Sequence, residues 1–136
     1  MTDTTSTALT LLIAWALLLL IVMELLRVRL VLTGAIAGPE FRPDNANLSP
    51  FMQRLARAHA NCIEGLPIFG GLLAVALLMH RTDVTNGLAM WLFMARVIQS
   101  LAHLSSISVL AVNTRFAAFS AQMAIAVYWC WTLLAR

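Results

Sequence analysis

The 136-residue chain contains no lysine, a single tyrosine (Tyr128) and only two cysteines, Cys62 and Cys130, both inside apolar runs. The cysteines have neither the number for a disulfide framework nor the spacing of a zinc site, so no metal is expected. Charge is scarce: 11% of residues carry it, with nine arginines against six acids, and no basic run is long enough to suggest a nucleic-acid partner. Also missing are a G-x-S-x-G elbow, a phosphate-binding loop and an H-E-x-x-H pair, which removes the commonest hydrolase, nucleotidase and metalloprotease readings. So few charges cannot clothe a soluble domain. The chain offers instead 61% hydrophobic residues and a mean hydropathy of +0.86, the composition of an all-α integral membrane protein.

Hydrophobic runs place spans at about 8–26, 50–79, 84–104 and 116–134, which makes the chain a single four-span membrane domain. The first is read as an uncleaved anchor, because the residues before it carry Asp3 and no basic residue. The connection 27–49 is rich in breakers, among them Gly34, Gly38, Pro39 and Pro43. Arg27, Arg29, Arg42, Arg54 and Arg57 gather around it, and Arg115 stands at the connection between spans three and four. The positive-inside rule then makes this loop cytoplasmic and puts both termini on the opposite side. Trp129 and Trp131 fit an interfacial belt at the outer end of span four, whereas Trp15 falls in mid-span. Asn47-Leu48-Ser49 spells a glycosylation acceptor, but a cytoplasmic loop with Pro50 following makes it a chance match.

Polar groups inside spans are costly and face a bundle interior or a wet cavity, so they are candidate site residues. Arg54, Arg57, Asn61 and Glu64 follow at intervals of three, four and three in span two, a single stripe about 15 Å long. Arg96, Gln99 and His103 repeat the pattern in span three, with Ser100 beside them. His59 lies about 200° around the helix from Arg57, where it can face a neighbouring protomer, and Cys62 lies about 100° off the stripe. Pro67 frees the carbonyl of Ile63 and is expected to kink span two near Glu64. Gly65, Gly70, Gly71 and Ala74 are expected to let another helix pack closely. A cationic, hydrogen-bonding pocket near the cytoplasmic face suits a carboxylate-bearing ligand beside an apolar partner dissolved in lipid.

The run from Arg54 to Phe69, with Arg57-Ala58, Asn61, Glu64, Pro67 and Phe69 in the pattern R-A-h-x-N-x-x-E-x-x-P-x-F, resembles the signature of the MAPEG family, the membrane-associated proteins of eicosanoid and glutathione metabolism. The similarity extends from about Met52 to Ala124 and includes the Ala95-Arg96 pair and the stretch Arg115 to Gln122. It implies a four-helix, homotrimeric membrane bundle that binds glutathione as co-substrate between protomers, in a non-eicosanoid member of the kind found in bacterial inner membranes. Residue by residue, it implies that Arg57, Asn61 and Glu64 hold glutathione, the arginine on a carboxylate and Glu64 on the ammonium group. It implies a ligand contact for His59, a binding role for Arg96, and for Arg27 or Arg29 a match to a basic residue just after the first span. For Arg115 it implies a catalytic role, favouring the thiolate of a thiol whose pKa is ordinarily about 8.5. Gln99 and His103 complete the pocket.

Departures from the family pattern are as informative. Where eicosanoid-synthesising members keep tyrosines, this chain has Gly65, His103 and Phe119, and Phe116 replaces a serine sometimes found after the arginine. Eicosanoid synthesis is therefore not expected. The leading expectation is a glutathione-dependent transferase or peroxidase acting on hydrophobic electrophiles or lipid hydroperoxides drawn from the membrane. The alternative is a non-catalytic binding or scaffold protein of the same fold. A transporter would need a polar path through the outer halves of the spans, and 65–79 is apolar throughout.

Overall fold

The computed structural model describes residues 3–135, which form long α-helices, one short 3-10 turn and no strand. Helix α1 is Thr4–Leu32, α2 Pro50–Leu78, α3 Thr82–Ser105 and α4 Val109–Leu134, with the 3-10 turn Gly38–Glu40 between α1 and α2. All four helices are long and apolar enough to cross a bilayer, which fits a multi-pass membrane protein.

The helices outrun the expected spans wherever no residue stops them. Helix α1 continues through Arg27 and Arg29 because its first breaker is Gly34, at φ 72°. There the Gly34 N–H donates to the Val31 carbonyl and the Ala35 N–H to that of Leu30, both at 3.0 Å, satisfying the last carbonyls of the helix. Helix α2 starts where Ser49 accepts from the Met52 N–H and Pro50 fills the first helical position. Pro67 lies inside α2, which runs unbroken past it. At its far end His80 N–H donates to Leu77 O at 3.2 Å and Arg81 N–H to Ala76 O at 2.8 Å, but the left-handed residue is His80, at φ 54°. A Cβ in that conformation costs about 1 kcal/mol. His80→Gly is therefore expected to stabilise the protein by about 1 kcal/mol, seen as a higher unfolding midpoint in detergent; an unchanged midpoint would contradict it. Arg115 and Phe116, expected at a loop and a span start, instead stand in the second turn of α4, because Ser108 caps the helix at Val109 and nothing after it breaks the run.

Helices α2 and α3 form the middle of the bundle, α1 lies against both, and α4 packs mainly on α3 with a lighter contact to α2. The packing follows helical periodicity: α1 buries Thr5, Ala8, Leu12, Ala16, Leu19 and Met23 and leaves Leu17, Leu18, Ile21 and Leu25 exposed, as suits a hydrocarbon solvent. One apolar layer contains Leu12, Phe69, Leu73, Leu92 and Trp129, and a second contains Leu19, Met23, Leu55 and Cys62. Their boundary is polar, formed by Trp15, Asn61, Arg96, Gln99, Ser100 and Gln122. Trp129 corrects the belt reading. It is fully buried in the first layer because it shares the inward face of α4 with Ala126 and Leu133, while Trp131 is 76% exposed. Trp15, the misfit of the belt, donates from Nε1 to Ser100 Oγ at 3.0 Å and ties α1 to α3. At the end remote from the arginine cluster, Thr5 Oγ1 meets Thr85 Oγ1 at 2.6 Å and donates to Asn86 Oδ1 at 2.7 Å.

Candidate functional site

On α2, Arg57 and Glu64 are exposed on the protomer surface and Asn61 is half-buried between them. Arg57 and Glu64 stand two turns apart, about 10 Å along the axis. They form no ion pair: among the described residues the pairs are Arg27–Glu24 at 2.8 Å and Arg81–Asp83 at 3.4 Å. Arg54 is engaged otherwise, its Nε donating to the Leu104 carbonyl at 3.0 Å and so completing the C-terminal turn of α3. Arg27 is likewise structural. It donates to Asn45 Oδ1 at 2.7 Å and lies over the Phe41 ring, while the fully buried Asn45 donates to Met52 O at 2.8 Å, pinning the loop to both helices. Arg29 is exposed.

Arg96 enters from α3 and is only 3% exposed. Its Nη1 donates to Asn61 Oδ1 and, at 3.2 Å, to the Asn61 carbonyl, and its guanidinium lies 5.2 Å from the centre of the Phe69 ring. It can lie there because residue 65 has no side chain: a Cβ on Gly65 would collide with Arg96 Nη2 and stand 3.1 Å from Cζ. The glycine expected to admit a neighbouring helix thus admits an arginine. Gly70 is the position that meets α1, where a Cβ would stand 3.2 Å from Leu9 Cδ1, and Gly71 faces open space. Gly65→Ala is expected to cost about 1–3 kcal/mol by displacing the guanidinium, and less in an Arg96→Met background. Additive losses in thermal unfolding would refute the coupling.

The span-three stripe divides among its neighbours. Gln99 Oε1 accepts from Gln122 Nε2 at 3.0 Å, both residues being buried. Ser100 donates to the Arg96 carbonyl at 3.0 Å and meets Cys62 Sγ at 3.4 Å. His103 Nδ1 lies 2.9 Å from Arg115 Nη1. Since a guanidinium can only donate, Nδ1 is the acceptor and the ring carries its proton on Nε2. The charges of Arg57 on α2 and Arg96 on α3 also act electrostatically on this imidazole. His59 lies apart, half-buried within electrostatic reach of Glu24 and Arg27 of α1, with Nε2 buried and unbonded. The protomer does not bring it to the other site residues.

Between α2 and α4 runs a groove of about 410 Å³, lined at one end by Asn61 and Glu64 and otherwise by apolar side chains that include Phe69, Phe119 and Met123. Arg115 stands one turn before Phe119 on α4. A larger cavity, about 710 Å³, lies by the α1–α2 loop beside Arg29, away from this cluster. Sequence reasoning did not single out Met123, named Phe119 only as a missing tyrosine, and named Gln122 only as the end of the stretch that begins at Arg115. Beyond that stretch, the signal for Gln122 is a lone amide in an apolar run, two turns after Arg115.

These features are those of an all-helical protein with four candidate membrane spans, a buried polar cluster and an adjoining apolar groove. The MAPEG family model matches residues 5–135, nearly the whole chain, and the protein belongs to that family. No curated protein and no solved structure gives a significant match.

Proposed function

We propose that the protein is a membrane-embedded glutathione-dependent transferase or peroxidase acting on hydrophobic electrophiles or lipid hydroperoxides. The observation that carries this reading is that Arg57, Arg96 and Arg115, on three different helices, have no acid paired to them among the described residues, while Asn61, which Arg96 holds, lines an otherwise largely apolar groove. Unpaired cations within spans call for an anion. Glutathione, the thiol that members of this family generally use, fits the residues present. It carries two carboxylates for arginines and one ammonium group for Glu64, and an extended tripeptide reaches about 10 Å, the separation of Arg57 and Glu64 along α2. When bound it supplies the nucleophilic thiol. Arg115 favours the thiolate, Arg57 and Glu64 hold the ends of the peptide, and Arg96 fixes Asn61. The groove takes the apolar co-substrate from the lipid.

Arg57 and Glu64 are exposed on the protomer at membrane depth, which a second copy of the chain would cover. A homotrimer with its sites between protomers accounts for that exposure. The positive-inside orientation places the site at the cytoplasmic face. One observation favours the scaffold alternative: Gly65, Phe116 and Phe119 bring no hydroxyl to the site. Calorimetric titration of the purified protein with glutathione, beside ultraviolet thiolate absorbance, separates the two. Binding with thiolate formed near neutral pH supports the enzyme. Binding without thiolate means that the pocket holds the peptide without activating it, and no binding at millimolar glutathione favours a scaffold or a different ligand.

A further inference from the structure

We infer that His103 is a positioning residue that holds the Arg115 guanidinium in place without neutralising it. The inference rests on the proposed role of Arg115 and deepens it. Arg115 is half-buried in the second turn of α4, and the hydrogen bond to His103 Nδ1 at 2.9 Å is the one its side chain makes among the described residues. An arginine side chain held by nothing keeps about 2 kcal/mol of rotamer entropy, which must be lost before the cation can act at a fixed point.

The usual partner for such a cation is a carboxylate, but a carboxylate would cancel much of the charge that a thiolate needs nearby. A neutral imidazole nitrogen supplies the acceptor and leaves the charge whole. His103 itself is held from the other direction, because α3 carries it in the turn after Gln99, which is bonded to Gln122 of α4. Helix α3 therefore meets α4 at two successive polar contacts, one amide pair and one imidazole–guanidinium pair, and the second fixes Arg115. No acidic residue lies within ion-pair distance of Arg115 among the described residues. The charged groups acting on the imidazole are Arg115 from α4, Arg57 from α2 and Arg96 from α3 itself.

The test uses the full chain in detergent with glutathione as probe. His103→Leu removes the acceptor, and His103→Asn keeps one, since its Oδ1 can occupy the place of Nδ1. His103→Leu is expected to lower the bound thiolate fraction near neutral pH about fivefold with glutathione affinity within about twofold, and His103→Asn to recover most of that loss. A merely structural histidine would not give this split, because both variants would lose affinity and folding together. The inference is overturned if His103→Asn is as poor as His103→Leu, or if His103→Leu keeps its thiolate while Arg115→Ala loses it. If Arg115→Ala itself leaves the thiolate unchanged, the assigned role of Arg115 fails instead. Isotope-edited NMR of the imidazole then decides the link alone: the Nε2–H tautomer is expected to dominate in the parent and to lose that dominance in Arg115→Ala, and an unaltered tautomer balance would overturn it.

Discussion

Arg115→Ala is expected to lower the thiolate fraction of bound glutathione at pH 7 about 25-fold while changing its affinity little. A thiol of pKa about 8.5 is only about 3% ionised at pH 7. A guanidinium in contact lowers an acid's pKa by about 1–3, and a shift of about two raises the ionised fraction to about three-quarters. Turnover should fall less, by about threefold to fourfold, because the more basic thiolate left behind is the better nucleophile. The contrast between a large spectroscopic loss and a smaller kinetic one is the signature of thiol activation. Equal losses in affinity and turnover would assign Arg115 to binding instead. Folding should survive, since the residue is half-buried near a helix start and, among the described residues, its one side-chain bond is to His103.

Glu64→Gln is expected to show the opposite split. The substitution keeps the size of the side chain and removes its charge, so an ammonium group loses a charge-assisted hydrogen bond, about 1.5–3 kcal/mol. Affinity for glutathione should therefore weaken about 10–150-fold, measured by calorimetry. The thiolate fraction of whatever remains bound should stay as in the parent, because the charge acting on sulfur is unchanged. Glu64 has no ion-pair partner among the described residues, so the parent stability is expected to be retained. Unchanged affinity would remove Glu64 from the ligand site. A thiolate lost in step with affinity would show that the two ends of the site are not separable.

Much of this arrangement is legible in the sequence because one helix has one period. The apolar runs of α1 to α4 set the number of spans, and intervals of three and four put Arg57, Asn61 and Glu64 on one face of α2. Helix ends were less legible: α1 and α4 extend beyond their apolar runs because backbone hydrogen bonding continues through arginines and threonines until Gly34 or Ser108 ends it. The arginine clustering around the α1–α2 loop is also plain in the sequence, since a hairpin of spans must bring Arg54 and Arg57 back beside Arg27 and Arg29.

What the chain of residues determined by itself was therefore a four-span helical membrane protein, its family and the stripe on α2. Tertiary structure alone decided which faces meet. Periodicity tells which side chains share a helix face, but not the rotation of that helix against its neighbours. Hence Trp129 is core rather than belt, Gly65 makes room for Arg96 rather than for a helix, and the three residues of the α3 stripe serve different partners. His103 and Arg115 stand on different helices and carry no common motif. They meet because α3 and α4 form the bundle's most extensive helix pair, and the short turn between them brings the last turn of one beside the second turn of the other.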